Sequence, residues 1–137
     1  MTAKVVYTGD LRCEAIHLKS GSQIETDAPL DNQGKAERFS PTDLVTVALS
    51  TCILTTLGIA GKAHDLNIEG AECEVEKIMA SDPRRICGIN VTISFPKSKP
   101  YSQKQMVMIE RIANTCPVHL SLHPDLVQNI SFIWPTE

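Results

Sequence analysis

Residues 44–61 carry no charged side chain, and this stretch limits what the chain can fold into more than any other. As a helix it reaches about 27 Å. Its four threonines, one serine and two glycines make it marginal for spanning a bilayer, so a buried core helix is the better reading and no membrane association is expected. The start is well marked. Ser40 is a good N-cap, Pro41 suits the first helical position, and Asp43 stands where a capping-box acid opposes the positive helix end. Phe39 and Leu44 have the spacing of a hydrophobic staple. Apolar side chains at 44, 45, 47, 48, 49, 53, 54, 57, 59 and 60 cover most of the circumference, so the helix is expected to be buried nearly all round up to about Gly61.

Short strands precede it. Residues 4–8 are rich in β-branched side chains, Gly9-Asp10 is a turn signal, and residues 11–19 read as a second strand. Ser20-Gly21-Ser22 turns the chain into a short segment around Ile24, and a polar loop with Pro29, Asn32 and Gly34 covers residues 27–38. After the helix, Ala71, Cys73, Val75 and Met79 alternate with Glu72, Glu74 and Glu76. Cys87, Ile89, Val91, Ile93 and Phe95 alternate with Asn90, Thr92 and Ser94. Asp82-Pro83 marks the turn between these strands, and residues 96–100 end the second. Residues 102–115 form an amphipathic helix with Met106, Ile109 and Ala113 on one stripe. Pro117 breaks it and starts a short helix to Leu122, and residues 129–134 close the chain as a strand.

The order is three strands, a long helix, two strands, a helix pair and a last strand, which is an α+β pattern in one domain, 1–137. One sheet covers only one side of a helix. An all-round apolar helix in a chain of 137 residues therefore calls for a second copy to cover it, and a homodimer is expected.

The formal charge of −3, without a basic run, excludes nucleic-acid binding driven by phosphate neutralisation. Five cysteines (13, 52, 73, 87 and 116), with no secretory signal at the start of the chain, fit a reducing compartment, so a cytoplasmic location is expected. Burial alone makes an inert core thiol the default for each cysteine on a helix or strand. Two differ in setting. Cys52 lies near the middle of the uncharged helix, where it is sheltered and rigidly held. Cys116 precedes Pro117 at a helix break, where the amides of the next helix would lower its thiol pKa and aid attack on a sulfenic acid or disulfide. A sheltered nucleophile with a second thiol in reach suits redox chemistry. Cys116, His119 and His123 offer only three ligands on a face distorted by Pro124, so a metal site is not expected. No phosphate loop and no Ser-His-Asp signature is present, and no cofactor is implied.

Phe-Ser-Pro-Thr-Asp-Leu-Val-Thr-Val-Ala-Leu-Ser-Thr-Cys at 39–52 and Ala-Asn-Thr-Cys-Pro-Val-His at 113–119 make the chain resemble the OsmC/Ohr family of thiol-dependent organic hydroperoxide reductases. The likeness covers nearly the whole chain. It implies an OsmC-like intertwined homodimer in which antiparallel β-sheets wrap the two central apolar helices. It further implies that Cys52 is the peroxidatic thiol and Cys116 the resolving thiol, joined by a disulfide that a dithiol or lipoyl-protein reductant reopens. Organic hydroperoxides would be the substrates. A buried thiolate also needs a positive partner, because desolvation alone disfavours the charge. The family uses an arginine held by a glutamate that usually stands ten residues before the cysteine. Here that position is Thr42. Arg12 and Arg38 both qualify by position, and Arg12 held by Glu37 or Asp43 is favoured. The alternatives are a non-catalytic protein of this fold binding an apolar ligand in its dimer groove, and a thiol-sensing interaction protein.

Overall fold

A computed structural model of the chain describes residues 1–97 and 100–136. The chain divides into two compact units, residues 1–45 and 46–137, with the long helix running through the boundary.

The first unit is an antiparallel sheet of β1 (Ala3–Gly9), β2 (Arg12–His17) and β3 (Gln23–Asp27), in that spatial order. The first turn lies one residue later than its sequence signal. Asp10 and Leu11 both take positive φ, 52° and 63°, so Leu11 belongs to the turn and not to the second strand. Two-residue hairpin loops favour this left-handed geometry because it matches the strand twist. Past β3, a 3-10 turn at Leu30–Asn32 sits in the polar loop. Pro29 O accepts from Asn32 N and Gly34 N, and Ala28 O accepts from Ala36 N. This folds the loop so tightly that a Cβ on Gly34 would overlap the Ala28 carbonyl.

Helix α1 (Pro41–Ala63) begins where expected. The Asp43 amide donates to Ser40 Oγ at 3.0 Å and the Ser40 amide to Asp43 Oδ2 at 2.9 Å, a reciprocal capping box with aspartate in place of glutamate. Phe39 stays 58% exposed, so the expected staple covers little of it. The helix passes Gly61, which serves close packing: the Leu66 carbonyl lies where a Cβ would stand. The expectation of burial all round fails within a single chain. Leu49, Ile53 and Leu57 are fully buried, but Ala48, Thr51 and Thr55 are exposed and Ile59 is 68% exposed. By length and composition α1 could cross a membrane; the buried stripe is that of a helix whose one face closes a core.

In the second unit, β4 (Glu72–Ser81) and β5 (Arg84–Ser94) form a hairpin across Asp82-Pro83, and β6 (Val127–Ile133) adds beside β5. This sheet is not purely antiparallel, since β6 runs parallel to β5. The reason lies in the connection, which carries α2 (Gln103–Ala113) and α3 (Pro117–Ser121) and is long enough to bring the chain back in the same direction. Of the segment at 96–100, residues 98 and 99 lie outside those described. Ile89, Val91 and Ile93 alternate inward and are fully buried, joining Ile109, Ala113 and Cys116 in the core with the α1 stripe. Polar partners knit the other face, where Asn129 Nδ2 donates to Asn90 Oδ1 and the Thr92 and Ser131 hydroxyls meet. Phe95, Tyr101, Phe132 and Trp134 form an aromatic cluster, with Phe95 stacked on Trp134 at 4.7 Å between centroids.

Candidate functional site

Each unit brings together part of the expected site. In the second unit, Cys52 on α1 lies near enough to Cys116 at the start of α3 to affect its ionisation. Their shelter is the reverse of the expectation. Cys52 is only half-buried, because it lies on the helix flank between the covered stripe of Leu49 and Ile53 and the open stripe of Thr51 and Thr55. Cys116 is fully buried.

Cys116 is the N-cap of α3, and its Sγ accepts the His119 amide at 3.3 Å. The expected lowering of its pKa is overruled. Burial pushes the thiol up, and the neighbouring Cys52 adds to this, while the amides of His119 and Val118 pull the other way. Two backbone donors do not offset the loss of water around the sulfur.

The remaining cysteines stand elsewhere. Cys13 is on β2 in the other unit. Cys73 on β4 is pushed up to about 11 by burial, and at neutral pH it is a protonated thiol of little nucleophilicity. Cys87 sits at a bulge opposite Ile78 and Met79, its Sγ directed at the Ile78 carbonyl. His119 pairs with Gln128, and His123 Nδ1 accepts the Asp125 amide. The Cys116, His119 and His123 side chains thus turn to separate partners.

In the first unit, Arg12 is held by two carboxylates. Its Nε and Nη2 donate to Asp27 Oδ1 and Oδ2 at 2.7 and 2.9 Å, and Nη2 donates also to Glu37 Oε2 at 3.0 Å. Such a forked pair fixes the guanidinium plane as well as its position. The Glu37 amide donates to Asp27 Oδ2, which closes the group. Of the two favoured carboxylates Glu37 is therefore an Arg12 partner, whereas Asp43 is taken up in the capping box. Arg38 pairs instead with Glu25 at 2.7 Å. The main partner, Asp27, was missed by sequence reasoning, which placed it at the start of a polar loop. It is the last residue of β3, directly across from Arg12 in the β2–β3 register. Correct strand pairing was the signal that could have found it.

Its hydrogen bond to Arg12 holds the Asp27 carboxyl below the usual carboxylate range, against the opposing effect of burial. The sign follows directly. The stability from this pair is fully present above about pH 4, the ordinary carboxylate value, and is lost as pH falls through the depressed value. Asp27→Asn is therefore expected to lower the urea midpoint at pH 7, with the gap to wild type closing on acidification below about pH 4.

Residues 34–130 match the family model of the OsmC-like protein. The matched span includes Glu37, Asp43, Cys52 and Cys116 and leaves out Arg12 and Asp27. The chain belongs to this OsmC-like family. A Psychrobacter arcticus 273-4 protein, named for an osmotic-stress-induced and detoxification response, is 45% identical with a TM-score of 0.92, over 97% of this chain and 96% of that one. An OsmC-like protein of Mycoplasma pneumoniae is 20% identical, with a TM-score of 0.81 over 98% of this chain and 96% of that one. The organic hydroperoxide resistance protein OhrB of Bacillus subtilis is 15% identical, with a TM-score of 0.68 over 97% and 98%. The last two share the fold. No curated protein matches the chain.

Proposed function

We propose that the chain is a thiol-dependent peroxidase that reduces organic hydroperoxides to alcohols. The observation that carries this reading is the nearness of Cys52 to Cys116. The Cys52 thiolate attacks the distal peroxide oxygen, the O–O bond breaks, and the alkoxide takes a proton and leaves as the alcohol. Cys52 is then a sulfenic acid. Cys116 sulfur attacks Cys52 sulfur, releasing water and forming a disulfide. A dithiol, free or carried on a lipoyl protein, returns both thiols by exchange. A reducing cytoplasm suits this cycle.

The test is consumption of an alkyl hydroperoxide with dihydrolipoamide as reductant and hydrogen peroxide as the comparison substrate. Rapid loss of the alkyl hydroperoxide supports the reading. No consumption by folded protein overturns it and leaves the apolar-ligand binder as the better account.

Within the same reading, Arg12 supplies the positive charge that favours thiolate attack. Arg12→Ala is expected to slow the first oxidation of Cys52, followed by stopped-flow fluorescence, and also to lower the urea midpoint by breaking the Asp27 pair. Arg12→Lys recovers only part of the rate, because an ammonium lacks the planar fork that Asp27 holds.

The working form is a homodimer. Its support is the apolar surface the single chain leaves open: Val5 at 63%, Tyr7 at 62%, Ile24 at 51% and Ile59 at 68% exposure. Covering such surface drives association. Sedimentation at low micromolar concentration should find a dimer, and dilution should lower the thermal midpoint because the fold and the association are linked. A compact monomer with a concentration-independent midpoint would contradict this.

A further inference from the structure

We propose that Gln128 is a positioning residue for Cys116, acting through His119; this rests on the peroxidase reading for its consequence but not for its geometry. Gln128 is half-buried on β6 and reaches His119 on α3 twice. Its Nε2 donates to the His119 carbonyl at 3.1 Å. That bond fixes which end of the amide is nitrogen, so Oε1 is the end that meets His119 Nδ1. The imidazole must then donate from Nδ1, since an amide oxygen only accepts.

One side chain thus grips both the ring and the backbone of His119. The backbone amide of that same residue points at Cys116 Sγ. A five-residue helix has little stiffness of its own, and nucleated turns of this length do not persist without tertiary support. The grip from β6 supplies that support at the residue whose amide faces the sulfur. Among the described residues, the other titratable group that acts on Cys116 is Cys52 of α1. An N–H aimed at sulfur favours the thiolate, and the thiolate is the form that attacks a sulfenic acid.

The sign of the effect separates this role from a merely structural one. A prop whose loss opens Cys116 to water would lower the thiol pKa, because burial is the largest cause of its rise. Loss of a positioned amide would raise it further. In the Cys52→Ser chain Cys116 titrates without its coupled neighbour. Cysteine labelled with 13C at Cβ then reports each thiol separately as pH is varied.

Gln128→Met keeps the length of the side chain, and His119→Phe removes the ring contact from the other side. Each is expected to raise the Cys116 midpoint by about one pH unit, tenfold less thiolate at a given pH, while the Cys73 midpoint stays in place. A Cys116 midpoint that is unchanged or lowered in either folded variant overturns the proposal. With Cys52 present, Gln128→Met is expected to slow disulfide closure several-fold after an unchanged first oxidation. If wild type forms no sulfenic acid at Cys52, the peroxidase reading fails, and the titration still decides the role of Gln128.

Discussion

In Cys52→Ser, hydroperoxide consumption is expected to fall to the background rate, since a serine hydroxyl at neutral pH is not ionised and cannot take the peroxide oxygen. Cys116→Ser should behave differently. One equivalent of hydroperoxide per chain is consumed in a burst, after which Cys52 remains a sulfenic acid that a dimedone-type probe can trap. The paired outcome separates the two thiols by role and not only by importance. Peptide mapping of peroxide-treated wild type should recover the Cys52–Cys116 bond within one chain, because a sulfenic acid meets the neighbouring thiol before any other. Mapping that found only bonds to Cys13, Cys73 or Cys87 would overturn the assignment. Cys73 is a poor competitor at neutral pH, where burial keeps it protonated.

Gly34→Ala is expected to be the most damaging small change in the first unit. The added methyl overlaps the Ala28 carbonyl, which is backbone and cannot swing aside. Overpacking of this kind costs roughly 1–3 kcal/mol, read as a lower urea midpoint at unchanged slope. Glu37 lies three residues on and donates its amide to Asp27, so displacement of this loop should also loosen the grip on Arg12. Gly58→Ala is the informative contrast. Among the described residues nothing beyond the helix's own neighbouring turns lies within 4 Å of a Cβ there, and replacing a helix-interior glycine adds about 0.5–1 kcal/mol of stability. A loss of stability at Gly58 would instead mean that a second copy fills the space.

Much of this architecture is legible in the residues. The Ser40-Pro41 start, the uncharged run behind it and the alternation of β5 each follow from a local rule, and each appears in the fold. The two thiols stand out in the sequence, although their shelter is reversed in the fold. What escaped depends on distance across the chain. Asp27 looks like a loop residue until β2 and β3 are set in register. The Gln128 grip on His119 needs β6 beside α3, which no periodicity reveals. The sign at Cys116 was misjudged for a related reason: the helix amides are written in the sequence next to it, while the burial that outweighs them comes from the whole core. The capping box of Ser102 and Gln105 was written locally and overlooked, masked by the prolines before it.

The parallel placement of β6 also sets an order of events. β4 and β5 meet across a two-residue turn and can pair early, at little entropic cost. β6 must wait for the chain between residues 94 and 127 to fold back, and long closures of this kind come late. Gln128 arrives with β6. On the proposed peroxidase reading, a newly made chain therefore holds Cys52 on a local helix before Cys116 is set in place, and during that interval it would be oxidised without being able to resolve. Overoxidation at Cys52 during synthesis under peroxide stress would then report the age of the molecule, falling on unfinished chains and sparing finished ones.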